Sequence, residues 1–279
     1  MSETNFITHE KGAEEIIRKE LVEKVYKKYY KCDDNKCIHF SECSEKALKK
    51  YIVDWDSSYA AKVGDNYPLK INGKEVRIVV VGKESKHKGV PCDRPAYLNE
   101  ANNLHYVRTY EILCEMLNYN WKDGRIEDCN NYSDMSDSNL SAFALTNRYR
   151  CAFKKVKGDT SAINYKKQTA NCLNILREEL EILKPTVLVI QNSSFNAKNL
   201  FNQAESVDQV KNLYYDRGRN CYIIITVHPS REHFLGKIKK EEVTKDFSSA
   251  VKYLRKEGRL PKEDERTTEA LENIDPRIT

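Results

Sequence analysis

The chain has 279 residues and carries 47 Lys and Arg against 42 Asp and Glu, a formal net charge of +5 at pH 7. That length can bury a sizeable core, and so slight a basic excess by itself indicates a solvated surface rather than a nucleic-acid partner. No run of about 18 apolar residues occurs, which excludes a membrane-spanning helix, and residues 1–12 lack the apolar core of a signal peptide. We therefore expect a cytoplasmic protein whose nine cysteines do not form a disulfide framework.

The N-terminal part of the chain predicts a helical extension. Apolar side chains recur at helical spacing between Ile16 and Tyr29, which predicts an amphipathic helix over residues 11–31. A polar stretch then holds three closely spaced cysteines: Cys32, Cys37 and Cys43. We expect a second short helix at residues 44–53, then a polar connection over 54–75 that ends in a turn at Asn72–Gly73.

The rest of the chain alternates between strand and helix patterns. Apolar runs of strand type lie at residues 76–82, 142–147, 186–191 and 221–227. Helical patterns lie at residues 99–117, 165–183, 195–203 and 240–256. The alternation predicts a three-layer α/β/α fold with a four-stranded parallel central sheet. The expected regions are a helical extension at 1–55, an α/β domain at 56–260 and a flexible, charged tail at 261–279.

Each of the four strand-type runs leads into polar residues. In chain order these are Gly82, Lys83 and Glu84; Asn147 and Arg148; Gln191 and Asn192; and His228 with Ser230 and Arg231. Because the carboxyl ends of parallel strands meet at one edge of a sheet, where ligands bind in α/β folds, these side chains are expected to form one site.

In order and spacing, these strand endings resemble the uracil-DNA glycosylase superfamily, especially its iron–sulfur members of family four. The resemblance covers about residues 30–255 and is carried by Gly82–Glu84, Thr146–Asn147 with Cys151, Cys172 ahead of residues 173–185, and His228–Ser230. It implies a uracil-DNA glycosylase-like fold and an enzyme that hydrolyses an N-glycosidic bond in DNA.

The first motif departs from the pattern of that superfamily. It reads Gly-Lys-Glu-Ser-Lys over residues 82–86, without the usual proline and with its acid at Glu84. The segment that supplies a base-stacking aromatic residue is matched only by Tyr97. Plain uracil is therefore not implied as the substrate.

The cysteine pattern predicts a metal centre, because three cysteines grouped in a polar segment do not fit ordinary core packing. Four thiolates hold either a four-iron four-sulfur cluster or zinc, and the resemblance favours iron–sulfur with zinc as the alternative. The implied ligands are Cys37, Cys43, Cys151 and Cys172, with Cys32 close in rank to the first two. We interpret Cys92, Cys114, Cys129 and Cys221 as unrelated to the cluster.

The resemblance also implies roles at the strand ends. His228 would donate a hydrogen bond to the leaving base, Asn147 would read the base edge, and Glu84 would orient water or stabilise the sugar cation. Gly82 and Tyr97 would complete the base pocket, with Tyr97 stacked on a flipped base. No lysine is placed as a Schiff-base nucleophile, so we expect base removal without strand cleavage.

Basic residues near these strand ends predict contacts to DNA phosphates. The DNA-binding candidates are Lys83, Lys86, Arg148, Lys155, Ser230 and Arg231. Arg231 follows His228–Ser230, where the family's intercalation loop meets the groove. The expected partner is duplex or single-stranded DNA, bound by a monomer without a membrane.

Three functional readings remain open from the sequence. The first is a monofunctional DNA glycosylase for uracil in repair or, by analogy with defence relatives, for glucosylated hydroxymethylcytosine in phage DNA. The second is a non-catalytic iron–sulfur DNA-binding module on the same fold. The third, a zinc-bound enzyme acting on a phosphate or nucleotide, ranks last because no glycine-rich phosphate loop is present.

Overall fold

The computed structural model describes residues 7–31, 36–39, 42, 51–54, 61–71, 73–82, 112–113, 115–117, 142–149, 152–155, 166–192, 195–227 and 237–261. Its α-helices are α1 (Ala13–Leu21), α2 (Lys27–Tyr29), α3 (Lys166–Leu183) and α4 (Lys237–Lys256). A π-helical turn, Val22–Tyr26, joins α1 to α2, and the residues described between 112 and 117 are also helical. No helix in the described part of the chain has the length and apolar character needed to cross a membrane.

Fourteen strands are described. In the N-terminal part they are β1 (Ile7–His9), β2 (Tyr30–Lys31), β3 (Lys36–Cys37), β4 (Tyr51–Asp54), β5 (Lys62–Val63), β6 (Leu69–Ile71) and β7 (Lys74–Val76). Further along they are β8 (Ile78–Gly82), β9 (Phe143–Asn147), β10 (Ala152–Lys155), β11 (Val187–Gln191), β12 (Ala204–Ser206), β13 (Leu213–Asp216) and β14 (Cys221–Thr226).

The central sheet is mixed and largely parallel, so the α/β class is confirmed. Its strand order is β12-β13-β14-β11-β8-β9-β5. The run β14-β11-β8-β9 is parallel, whereas β5 and the β12–β13 hairpin add antiparallel strands at the two edges. The sheet therefore has seven strands where four were expected, because short edge strands of two to four residues carry too little hydrophobic pattern to be recognised.

The core lies on both faces of this sheet. Along β11, Leu188 and Ile190 belong to one hydrophobic cluster, whereas Val187 and Val189 belong to the other. This follows from the two-residue period of a strand, which directs successive side chains to opposite faces. Residues of α1 and α3 join the first cluster, and residues of α4 and of the helical segment near 112–117 join the second. All five residues of β11 are buried, as in a parallel sheet covered on both faces.

Several local predictions were wrong, each where pairing or capping decided the outcome. Residues 51–54 form β4 rather than part of a helix, since β4 pairs antiparallel with β10. The connection predicted over 54–75 contains β6, which pairs with β7 around a turn at Gly73 of φ 74°. The helix expected at 195–203 is only a 3₁₀ turn, Ala197–Asn199, whose Asn196 side chain accepts a hydrogen bond from the Lys198 N–H at 2.9 Å.

The N-terminal helix predicted over 11–31 is present over residues 13–29, with its π-helical turn, whereas Tyr30–Lys31 form β2. The helix packs into the same core as the sheet. Leu21, Val25 and Tyr26 are buried in the cluster that also holds α3. Arg18 is buried and donates to the Val63 carbonyl at 2.6 Å, so α1 is fastened to the edge strand β5.

Candidate functional site

The carboxyl edge of the parallel strands concentrates buried polar side chains. In the described part of the chain nine polar or charged residues are buried. Five of these lie at the ends of β9, β11 and β14 or directly after them: Thr146, Asn147, Gln191, Asn192 and Thr226. Strands that served only to fill a core would end in apolar residues, because burying polar groups costs free energy unless they are hydrogen-bonded. The carboxyl edge is therefore the candidate site.

Asn147 and Gly82 are brought together as the sequence predicts. They are register partners in the parallel pair β8–β9, and the Arg148 N–H donates to the Gly82 carbonyl at 2.8 Å. Asn147 is 8% exposed, so its amide is held in the edge of the sheet rather than in solvent.

A buried carboxylate holds the end of β9 in position. Glu179 of α3 is completely buried, and it accepts a hydrogen bond from the Thr146 hydroxyl at 2.6 Å and from the Tyr26 hydroxyl at 2.9 Å. The Tyr26 oxygen in turn accepts from the Ala61 N–H at 2.6 Å. Thr146 directly precedes Asn147, so this network fixes the backbone that presents the Asn147 amide.

The sequence analysis does not identify Glu179 as a site residue, although its position in the helical pattern indicates that it is buried. Glu178 and Glu181 flank it in the sequence and are partly exposed. Glu179 alone shares the helical face of the buried Cys172, Ile175, Leu176, Leu180 and Leu183. A single acid inside an apolar helical stripe predicts a buried, hydrogen-bonded carboxylate, since helical residues three and four apart share a face.

Arg148 is held between two aromatic rings. Its guanidinium carbon lies 4.9 Å from the ring centroid of Tyr149 and 4.9 Å from that of Phe195, which are distances of a cation–π contact. Its Nε is buried and has no hydrogen-bond partner among the residues described. Neither Phe195 nor this stacking could be foreseen, because Phe195 follows a different strand of the sheet.

Two of the four predicted cluster ligands are described. Cys37 and Cys172 are both buried, at 9% and 4% exposure. The Asn171 amide donates to the Glu42 carboxylate at 3.3 Å, and the Tyr149 and Thr169 hydroxyls lie 3.4 Å apart. These contacts join the start of α3, which carries Cys172, to residues one and two positions from Cys43 and Cys151.

No group of three or more His, Cys, Asp or Glu side chains able to hold a metal is found within the described residues. Cys43 and Cys151 lie outside those residues. Cys221, by contrast, begins β14 at the other end of the sheet, where burial raises the pKa of its thiol.

Most of the remaining predicted site residues lie outside the described part of the chain. They are His228, Glu84, Tyr97, Lys83, Lys86, Ser230 and Arg231, together with the spare Cys32. The backbone of Lys155 is described as the last residue of β10. The strand that leads to His228 is described through Thr226, which pairs in parallel with Gln191 of β11.

A polar cleft of about 580 Å³ lies at the opposite, amino-terminal edge of the sheet, between α3 and the β13–β14 turn. Its Arg219 donates from Nε to the Glu181 carboxylate at 3.0 Å and lies 4.8 Å from the Phe201 ring centroid. Although burial opposes the charged form, Glu181 and Asp216 raise the pKa of Arg219 above its ordinary value. Arg219 and Glu181 of this cleft are thus paired with each other, and none of the predicted site residues lines it.

No protein-family model matches the chain, and a search of curated proteins likewise finds no match. The resemblance to the glycosylase superfamily is therefore supported only by the sequence motifs given above.

Proposed function

We propose that this chain is a monofunctional DNA glycosylase that flips a pyrimidine out of DNA and hydrolyses its N-glycosidic bond, leaving an abasic site. The observation that supports it most is the row of buried polar side chains at the carboxyl edge, with Asn147 beside Gly82. A base turned out of the helix needs a confined pocket and a polar group to read its edge. The Asn147 amide has both a donor and an acceptor for that purpose.

The proposed fold is the three-layer α/β/α arrangement of uracil-DNA glycosylases, with helices on both faces of the parallel strands and added edge strands. Support comes from the two core clusters, one on each face of the sheet. In this arrangement His228 would follow β14 at the same edge as Asn147 and donate to the leaving base, while Glu84 would follow Gly82 and act on water or the sugar. Tyr97 would stack on the flipped base.

The proposed cofactor is a four-iron four-sulfur cluster with a structural role. The described donors fit it, because Cys37 and Cys172 are buried and the contacts at the start of α3 lead toward Cys43 and Cys151. These four thiolates would hold the cluster and so tie the N-terminal extension to the segment after β9. The reaction itself would rest on the strand-end residues alone.

The proposed partner is DNA, bound by a monomer in the cytoplasm through Lys83, Lys86, Lys155, Ser230 and Arg231. The favoured substrate is a modified pyrimidine such as glucosylated hydroxymethylcytosine of phage DNA, with uracil as the alternative. The departure of residues 82–86 from the uracil-specific motif favours the modified base.

The test is mass spectrometry of bases released from natural, uracil-containing and phage-modified DNA, followed by alkali cleavage at abasic sites. We expect the Asn147→Ala variant to lose about 10²-fold in release rate, since one directed hydrogen-bonding group is commonly worth that much. Binding to duplex DNA should persist, because Asn147 carries no charge. The exposed Asn202 provides the control, and Asn202→Ala should keep the parental rate.

Two outcomes would count against the proposal. Release at the parental rate by Asn147→Ala would place the active site elsewhere. DNA binding by the parent protein without release of any base would favour the non-catalytic DNA-binding module instead.

A further inference from the structure

We propose that Arg148 is a specificity-determining residue that binds the flipped base itself, through an oxygen acceptor on that base, and not a DNA phosphate. The inference rests on the proposed function and deepens it. It starts from the position of the residue, which directly follows Asn147 and whose N–H continues the β8–β9 ladder by bonding to Gly82 at 2.8 Å. The backbone of Arg148 is thereby fixed at the candidate site.

The side chain reaches across the end of β8. Tyr149 follows β9, whereas Phe195 follows β11, and β8 lies between those two strands. The Arg148 guanidinium lies 4.9 Å from both ring centroids, so it contacts residues that follow two different strands of the sheet.

The two rings define how the guanidinium can bind. A guanidinium is flat, with five N–H donors in its plane. The two ring contacts are cation–π contacts, and they use none of these donors in a hydrogen bond. No carboxylate among the described residues pairs with Arg148, and its buried Nε has no described hydrogen-bond partner. A buried donor without an acceptor is unfavourable, so an oxygen acceptor brought by a ligand is the group that this position favours.

A phosphate contact fits these observations less well. Phosphate contacts give affinity and position the protein on the backbone without reading a base. Arg148 is instead half-buried, stacked on two buried rings, and adjacent to a side chain proposed to read a base. The flat fork of an arginine, unlike a lysine ammonium, can hold an oxygen acceptor in a fixed direction.

The chemistry gives the contact a role in the rate. As the C1′–N1 bond breaks, its electron pair stays on the pyrimidine, and the charge spreads to the carbonyl oxygen at C2 and, in uracil, also to that at C4. The oxygen of a water molecule bonds to C1′, and the base takes up the proton that this water releases. A guanidinium held at a base oxygen would stabilise the departing anion before that proton arrives.

The experiment combines base release with the salt dependence of duplex binding for Arg148→Gln and Arg148→Lys. For Arg148→Gln we expect kcat/KM to fall by about 10²-fold while the slope of log affinity against log salt stays unchanged. A phosphate contact would instead lower that slope by about 0.9. Arg148→Lys keeps the charge but not the flat fork, so its rate should recover only in part.

Two further variants separate this role from folding. Phe195→Leu keeps an apolar side chain but removes one ring, and it should lower kcat/KM in the same direction without changing the salt slope. Arg217 is 78% exposed on the β13–β14 turn, and Arg217→Gln provides a charge-matched control with parental release. Thermal unfolding of every variant identifies any that fail to fold. If Arg148→Gln fails to fold, the release rate and salt slope of Arg148→Lys test the inference instead.

The outcomes are distinguishable. A salt slope reduced by about one unit in Arg148→Gln would assign Arg148 to a phosphate and overturn the inference. Parental kcat/KM together with a parental slope would overturn it as well. If the parent protein itself releases no base from any DNA, the proposed function fails and the inference fails with it. That outcome is seen in the parent protein, so it is distinct from an effect of the Arg148 variants.

Discussion

Each of the two edges of the central sheet holds an arginine over an aromatic ring, but only one of these arginines is also paired with carboxylates of the described residues. At the amino-terminal edge, Arg219 lies over Phe201 and donates to the carboxylates of Glu181 and Asp216. At the carboxyl edge, Arg148 lies over Tyr149 and Phe195, and no described carboxylate pairs with it. The same residue type in the same kind of contact is thus neutralised at one edge and left with its donors at the other.

The described donors to the buried carboxylates differ between the edges. Asp216, fully buried, accepts from the Arg219 guanidinium at 3.4 Å. Glu179, also fully buried, accepts hydrogen bonds from the hydroxyls of Thr146 and Tyr26. The contrast between the two arginines supports our proposal that the carboxyl edge, rather than the amino-terminal edge, binds a ligand.

The largest effect should come from a pair of buried cysteines, one near each edge. Cys172→Ala is expected to lose iron and visible absorption and to unfold at a much lower temperature, because structural metal ligation contributes about 10 kcal/mol to folding. Cys221→Ala should keep its iron and cost about 1 kcal/mol, as a typical buried substitution does. Metal analysis, absorption spectra and thermal unfolding of both purified variants measure the difference.

Equal iron content in the two variants would contradict the cluster assignment. Zinc in place of iron in the parent protein would leave the ligands intact but change the cofactor.

The next largest effect is expected from substitution of the buried Glu179, which holds the end of β9. In Glu179→Gln the amide oxygen replaces one acceptor oxygen, but the amide N–H₂ cannot accept from the second hydroxyl, so we expect a loss of about 1–3 kcal/mol in the free energy of unfolding. Base release should also slow, because Thr146 fixes the backbone of Asn147. Urea denaturation and release assays measure the two effects.

The neighbouring Glu178 is the matched control for that substitution. It is 35% exposed and pairs with Lys28 at 2.6 Å on the surface. Glu178→Gln should cost less than about 1 kcal/mol and leave base release unchanged. Equal losses for the two substitutions would show that the Glu179 network has no special role.

The smallest predicted effect tests the amino-terminal edge. Arg219→Gln removes a donor from the buried Asp216, but the Arg219 side chain is 40% exposed and water can replace it in part. We expect a loss of about 1–2 kcal/mol in unfolding free energy with base release unchanged. Arg217→Gln on the same turn should stay within about 0.5 kcal/mol. A fall in base release caused by Arg219→Gln would break the division of roles between the edges.

How much of this site the sequence could reveal depends on the range of the interactions involved. Asn147 was identified because an apolar run ends there, and that run is local. Arg148 was recognised only as a basic residue near the site, since the ring that orients it, Phe195, comes from another strand. Glu179 was missed because it is one acid among several in α3, and its burial depends on the docking of the N-terminal helix.

The sequence by itself determined the α/β class, the long helix α3 and the four parallel strands, because apolar period and length are properties of each segment. It also placed the strand ends that carry Gly82 and Asn147. Only the tertiary structure decided the short strands outside the parallel run, since β5 pairs with β9, and β4 with β10, from far along the chain, and each carries too short a pattern of its own. It likewise decided which charged groups are neutralised and which keep their donors, because hydrogen bonding between distant segments, not residue type, sets the partner of each buried polar group.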